Sequence, residues 1–113
     1  MMIMSRESIG NFELMVLLAL IRLGDDAYGV PIAEVLTKTL GREVAAASVY
    51  AALERLAQKA LVTSRMGEPT PERGGRARRY FRITGAGLRE VRATRSALTT
   101  LWSRLRVLKG EPA

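Results

Sequence analysis

The chain has 113 residues, with 18 Lys+Arg against 11 Asp+Glu, a formal net charge of +7 and a pI near 10.8. That is the length of one domain, and the basic balance favours a polyanionic partner. It contains no Cys and no His, which excludes disulfides, thiolate nucleophiles, imidazole bases and nearly all transition-metal sites, so neither cofactor nor metal is expected.

The first helix is predicted over 12–23, capped by Asn11 or Ser8. Leu14, Leu17, Leu18 and Ile21 form its core stripe, but Met15, Val16 and Leu20 are apolar too. A helix apolar nearly all round needs cover on two sides, and the second cover suggests a partner helix from another subunit. The apolar run 14–21 is far shorter than a bilayer span and is flanked by Glu13 and Arg22; the first four residues lack a basic n-region and a cleavage site. A cytoplasmic protein without membrane contact is expected. Gly24 ends the helix and Asp25-Asp26 make the turn.

The second helix starts near Tyr28 or Val30, with Pro31 in its first turn, where no amide donor is needed. Ile32, Val35, Leu36 and Leu40 are its buried stripe, and Gly41 stops it. The third helix is predicted over 46–59. Val49, Leu53, Leu56 and Ala60 share one stripe, leaving Tyr50, Ala51, Glu54, Arg55 and Gln58 on the outer face. After Leu61 the period changes to two, and Phe81 and Ile83 alternate with Tyr80 and Arg82, giving a two-stranded hairpin with a long tip. Pro69 and Pro71 cannot donate to a ladder, so 67–76 forms the tip. It carries Arg73 and Arg76, tempered by Glu68 and Glu72, and Arg78, Arg79 and Arg82 follow. Such a run is often only a solvated face; beside a short surface helix it reads as a grip on a duplex. Gly74-Gly75 is not a Walker loop, since no Gly-Lys-Ser/Thr follows and no helix opens there.

Thr84 caps the last helix, predicted to run to about Leu108, about 34 Å at 1.5 Å per residue. Leu88, Val91, Arg95, Leu98, Trp102 and Leu105 form a heptad seam, broadened by Leu101 and Leu108. Arg95 within it either sets register or snorkels to solvent.

Ser48-Val49-Tyr50, Leu53, Arg55-Leu56, Leu61-Val62, Gly74-Gly75-Arg76 and Arg79-Tyr80-Phe81-Arg82-Ile83-Thr84, with Tyr28-Gly29, Ile32 and Leu36 upstream, resemble the PadR family of bacterial transcription regulators over residues 14–87. The resemblance implies a mainly α fold with a small two-stranded β-wing: a winged helix-turn-helix DNA-binding domain over 1–85 and a C-terminal dimerisation helix over 86–113. It also implies a homodimeric, sequence-specific DNA-binding regulator, a repressor, on a pseudo-palindromic operator. The third helix would enter the major groove with Ser48, Tyr50 and Arg55 near base edges and phosphates. The wing would bring Arg73, Arg76 and Arg78 to the backbone or minor groove. Tyr28 fits a family position that reaches phosphate; it also reads as a tyrosine packed at a helix start. Leu88, Val91, Leu98, Trp102 and Leu105 would lie in the dimer interface. There the family can form an apolar cleft for planar aromatic effectors, where Trp102 would stack on the ligand with Leu98, Leu101 and Leu105 as walls and Arg95 at the rim; Trp102 also reads as plain interface packing.

Three departures stand out. Relatives usually carry Ser or Thr at Ala45 and Gly at Ala47, and the lost cap costs about 1 kcal/mol. At Ala60, where relatives often have Gly, a left-handed backbone would cost about 1–2 kcal/mol. A rival reading is a winged-helix module whose basic wing binds an acidic protein. An enzyme is not expected: Glu13, Glu34, Glu43 and Glu54 sit at helix-surface spacings without a paired base or metal set.

Overall fold

Three helices close around Val16, Leu17, Leu20, Ile32, Leu53 and Leu56, all buried. The computed structural model describes residues 9–69 and 78–109. In chain order these form α1 (Asn11–Leu23), a 3-10 turn (Gly24–Asp26), α2 (Gly29–Leu40), α3 (Ala46–Gln58), β1 (Val62–Met66), β2 (Arg79–Ile83), α4 (Gly85–Trp102) and a last 3-10 turn (Arg106–Lys109). The fold is a winged helix-turn-helix: mainly helical, with one two-stranded antiparallel sheet.

α1 buries a different stripe from the expected one. Glu13, Val16, Leu17, Ala19 and Leu20 face the core, whereas Leu18 and Ile21 are exposed and Leu14 is half-buried. A helix apolar all round gives no periodic signal for its inner face, and packing against α2 and α3 decides it. The expected cap is also corrected. Gly10 holds the cap position without a side-chain bond and Asn11 is the first helical residue; Ser8 lies outside the described residues.

α2 follows the expected pattern, with Tyr28 at its cap position, Ile32, Ala33 and Leu36 buried, and Gly41 ending it in the left-handed region at φ 71°. α3 buries Val49, Ala52, Leu53 and Leu56, and Ala45 at its cap position makes no side-chain bond. Ala60 does not continue this stripe. It is exposed, in the turn after the helix, at φ 61°. Thr84 Oγ1 donates to the Ala60 carbonyl at 2.8 Å, and Thr84 N–H donates to Leu61 O at 3.0 Å, so the strained turn is held from the start of α4.

β1 and β2 pair in the register Val62↔Ile83, Ser64↔Phe81 and Met66↔Arg79. Phe81 is buried and roots the hairpin, and its N–H donates to Ala27 O at 2.9 Å, tying the sheet to the entry of α2. The tip residues 70–77 lie outside the described residues.

Thr84 caps α4 as expected, accepting from Gly87 N–H at 3.0 Å. Only the first half of α4 lies on the body: Gly87 is buried, and Ala86 and Val91 pack on the core. The helix then stops at Trp102 instead of reaching Leu108. Ser103 is extended and Arg104 turns at φ 64°. From Arg95 to Leu108 every residue is exposed. Among the described residues of the single chain none buries this segment, and tertiary packing is what sustains most helices. Among the described residues, no helix is long and apolar enough to cross a membrane.

Candidate nucleic-acid interface

The outward side of α3 follows from its buried side. With Val49, Ala52, Leu53 and Leu56 inward at about 100° per residue, Ala47, Ala51, Glu54 and Gln58 stand opposite, and all four are exposed. Ser48 and Arg55 flank this stripe on the side of α1, and both are exposed. Tyr50 lies at the border of the buried face, on the side of α2 and the hairpin.

Its position corrects the expectation that Tyr50 stands on the outer face. The ring is half-buried against the core, 6.3 Å from Phe81, and the hydroxyl accepts from Gly29 N–H at 3.3 Å. A Cβ at Gly29 would lie 2.2 Å from the ring, so only glycine lets α2 and α3 approach in this way. Tyr50 therefore sets the crossing of the two helices, and its ring and hydroxyl are already engaged within the chain.

Arg55 is also held. Its Nε lies 2.7 Å from Glu13 Oε2, and Lys59 Nζ lies 2.9 Å from Glu13 Oε1. Glu13 is only 6% exposed. Burial alone would raise its pKa, but the hydrogen bonds and charges of Arg55 and Lys59 more than offset this and hold the carboxyl below its ordinary value. Expected to be one of several scattered surface acids, Glu13 instead bolts α1 to α3 and the turn that follows it. Only part of the signal was local: position 13 shares a helical face with 16, 17 and 20, and Arg55 and Lys59 are four apart, but no spacing rule joins the two helices.

The hairpin is fastened by further ion pairs. Arg79 Nη1 contacts Glu54 Oε2 at 2.5 Å and its Nε donates to Ser64 Oγ at 3.2 Å; Arg82 Nη2 lies 3.2 Å from Asp25 Oδ1. The Arg79 hydrogen bond lowers the pKa of exposed Glu54. Tyr28, Tyr80, Arg78 and Arg65 gather where α2 begins. The two tyrosines meet edge to face with centroids 5.7 Å apart, Arg78 lies 4.2 Å over Tyr28, and Arg65 lies 4.6 Å over Tyr80. Tyr28 and Arg78 are thus brought together, each half-buried. Arg73 and Arg76 lie outside the described residues. Among those described, no three His, Cys, Asp or Glu side chains gather into a metal site.

Of the residues expected at a dimer interface, Leu88 and Val91 are half-buried, and Leu98, Trp102 and Leu105 are exposed. Leu98 and Trp102 join Leu14, Leu18, Val91 and Arg95 around an apolar cleft of about 500 Å³ between α1 and α4. Leu101 and Leu105, expected as walls, are exposed and do not line it.

Residues 17–93 match the model of the transcriptional regulator PadR-like family. The chain is similar to the crystal structure of a PadR family transcriptional regulator from Eggerthella lenta, at 28% identity and TM-score 0.66, over 83% of this chain and 80% of that one. It is likewise similar to a PadR-like regulator from Bacillus cereus, at 20% identity and TM-score 0.70, over 89% and 93% of the two chains. A transcriptional regulator from Clostridium thermocellum matches at 24% identity and TM-score 0.65, over 79% and 83%. No curated protein matches the chain.

Proposed function

Since the chain belongs to the PadR-like family of transcriptional regulators, we propose that it binds one pseudo-palindromic DNA operator as a homodimer and represses transcription there. DNA-binding transcription regulation comes with the family. Repression is the sense that the resemblance implies, and in this reading the protein works in the cytoplasm with its duplex.

One observation carries the reading: the exposed stripe of α3 stands beside a hairpin rich in arginine, in a chain of net charge +7. A surface helix fits the major groove, and a flanking cationic hairpin fits phosphate. Ser48 is the exposed polar group at the amino end of α3 that can reach a base edge. Arg73, Arg76 and Arg78 are the proposed backbone contacts of the wing, with Tyr28 beside Arg78. Tyr50 and Arg55 support α3 from its flanks.

The homodimer is supported by the uncovered apolar groups on α1 and α4. Leu18, Leu98, Trp102 and Leu105 are too many large exposed apolar side chains for a solitary domain, and several meet in one cleft. A second copy laid along α4 covers them and continues the seam. A planar aromatic effector entering beside Trp102 would act only as far as it prefers the dimer that is off DNA.

The test is selection of duplexes from a pool of genomic fragments. Enrichment of one motif with two-fold symmetry, half-sites about one helical turn apart, is the expected result. Recovery of no enriched motif, with tight capture of acidic protein instead, refutes the proposal in favour of a protein-binding module.

A further inference from the structure

We infer that the recognition helix reads its duplex through thymine methyl groups, contacted by Ala47 and Ala51, with Ser48 supplying the hydroxyl at their edge. This rests on the proposed placement of α3 in the major groove and adds the base chemistry that it recognises there.

The long polar side chains of α3 are largely committed within the protein. Glu54 is paired with Arg79 of the wing, and the Arg55 Nε with buried Glu13. Tyr50 is turned to Gly29 and Phe81. The first two turns then offer the groove Ala47, Ser48 and Ala51, all exposed, with Ala45 exposed at the cap position. Two-pronged readout of guanine needs Arg or Lys, and that of adenine needs Asn or Gln. None of these occupies the exposed face of those turns; Gln58 lies in the last. An alanine methyl has one complement among the base edges of the major groove, the C5-methyl of thymine. Such short side chains also let the helix backbone approach the bases closely, so adjacent methyl contacts are within reach of one helix. Ala47 and Ala51 are one turn apart on the same stripe, and so address neighbouring base pairs in each half-site.

The magnitude follows from apolar burial. Removing about one methyl group from water is a factor of about four in affinity. The experiment uses duplexes selected by the full-length protein from a random pool, remade with deoxyuridine in place of single thymines. Uracil keeps the pairing edge and the O4 acceptor and lacks only the methyl. The expected result is a loss of about four-fold at each of two neighbouring positions per half-site, and no loss elsewhere. In the Ala47→Ser and Ala51→Ser chains, checked for folding by thermal melting, the loss at one position each should vanish.

Equal binding of the thymine and uracil duplexes by the unmodified protein overturns the inference alone. So does a uracil effect that persists in both serine variants, which would assign it to duplex shape. Failure to select any duplex overturns the proposed function and this inference with it.

Discussion

Replacing Glu13 by Gln tests whether α1 holds α3 in place. The substitution keeps shape and one acceptor oxygen but removes the charge that faces Arg55 and Lys59. Breaking one side of a fully enclosed pair costs about 3–5 kcal/mol. Here the Lys59 side chain is 22% exposed and that of Arg55 is 51% exposed. Water recovers much of their solvation, and the loss falls to about 1–2 kcal/mol. In a domain of this size that is a fall in melting temperature of about 4–8 °C. The pH dependence supplies a second arm. The folded carboxyl of Glu13 titrates below its ordinary 4.5. Its contribution to stability is therefore complete above the unfolded value and is lost as pH falls through the depressed folded value. Glu13→Gln has no such contribution to lose. Urea melts of the two proteins should differ at neutral pH and converge on acidification through that window. The lowered pKa of Glu54 is common to both chains and cancels in the comparison. Equal stability at neutral pH, or a difference unchanged by acid, would refute the lock.

Three further outcomes follow from the geometry. Ala60→Gly should stabilise the fold by about 0.5–1 kcal/mol, because relief of the left-handed strain at φ 61° exceeds the added chain entropy; a melt unchanged or lowered contradicts this. Gly29→Ala should cost about 1–3 kcal/mol by driving a methyl into the Tyr50 ring, and its effect should not add to that of Tyr50→Ala, since one clash underlies both. Denaturation of both singles and the double gives the answer, and strict additivity would count against the contact. Leu98→Glu sets a charge among Leu14, Leu18 and Trp102; light scattering should find a wild-type dimer and a variant monomer, and a wild-type monomer at micromolar concentration removes the interface.

The winged helix-turn-helix was legible because its signals are local. The stripes of α2 and α3, the stop at Gly41, the Thr84 cap and the alternation around Phe81 each occupy a few adjacent residues. Where those signals were degenerate, tertiary packing decided. α1 is apolar on every side, and only the approach of α2 and α3 selects Val16, Leu17 and Leu20 over Leu18 and Ile21. Tyr50 sits on the boundary between faces, where the periodicity assigns neither side and the small residue at Gly29 draws the ring inward. The carboxylate bridges span distances that no spacing rule covers: Glu13 and Lys59 are 46 residues apart, and Asp25 and Arg82 are 57 apart. The end of α4 was misjudged for a related reason. The seam continues past Trp102 in sequence, but among the described residues of the single chain none buries it.

The central claim is sequence-specific recognition of a duplex by α3 and the wing. Its most direct measurement is fluorescence anisotropy of a selected duplex and its scrambled counterpart over a range of salt. The expected result is tight binding of the selected duplex by two chains, much weaker binding of the scrambled one, and log–log salt slopes of about 0.9 per phosphate neutralised for both. Equal affinity for the two duplexes, or binding indifferent to salt, would contradict it.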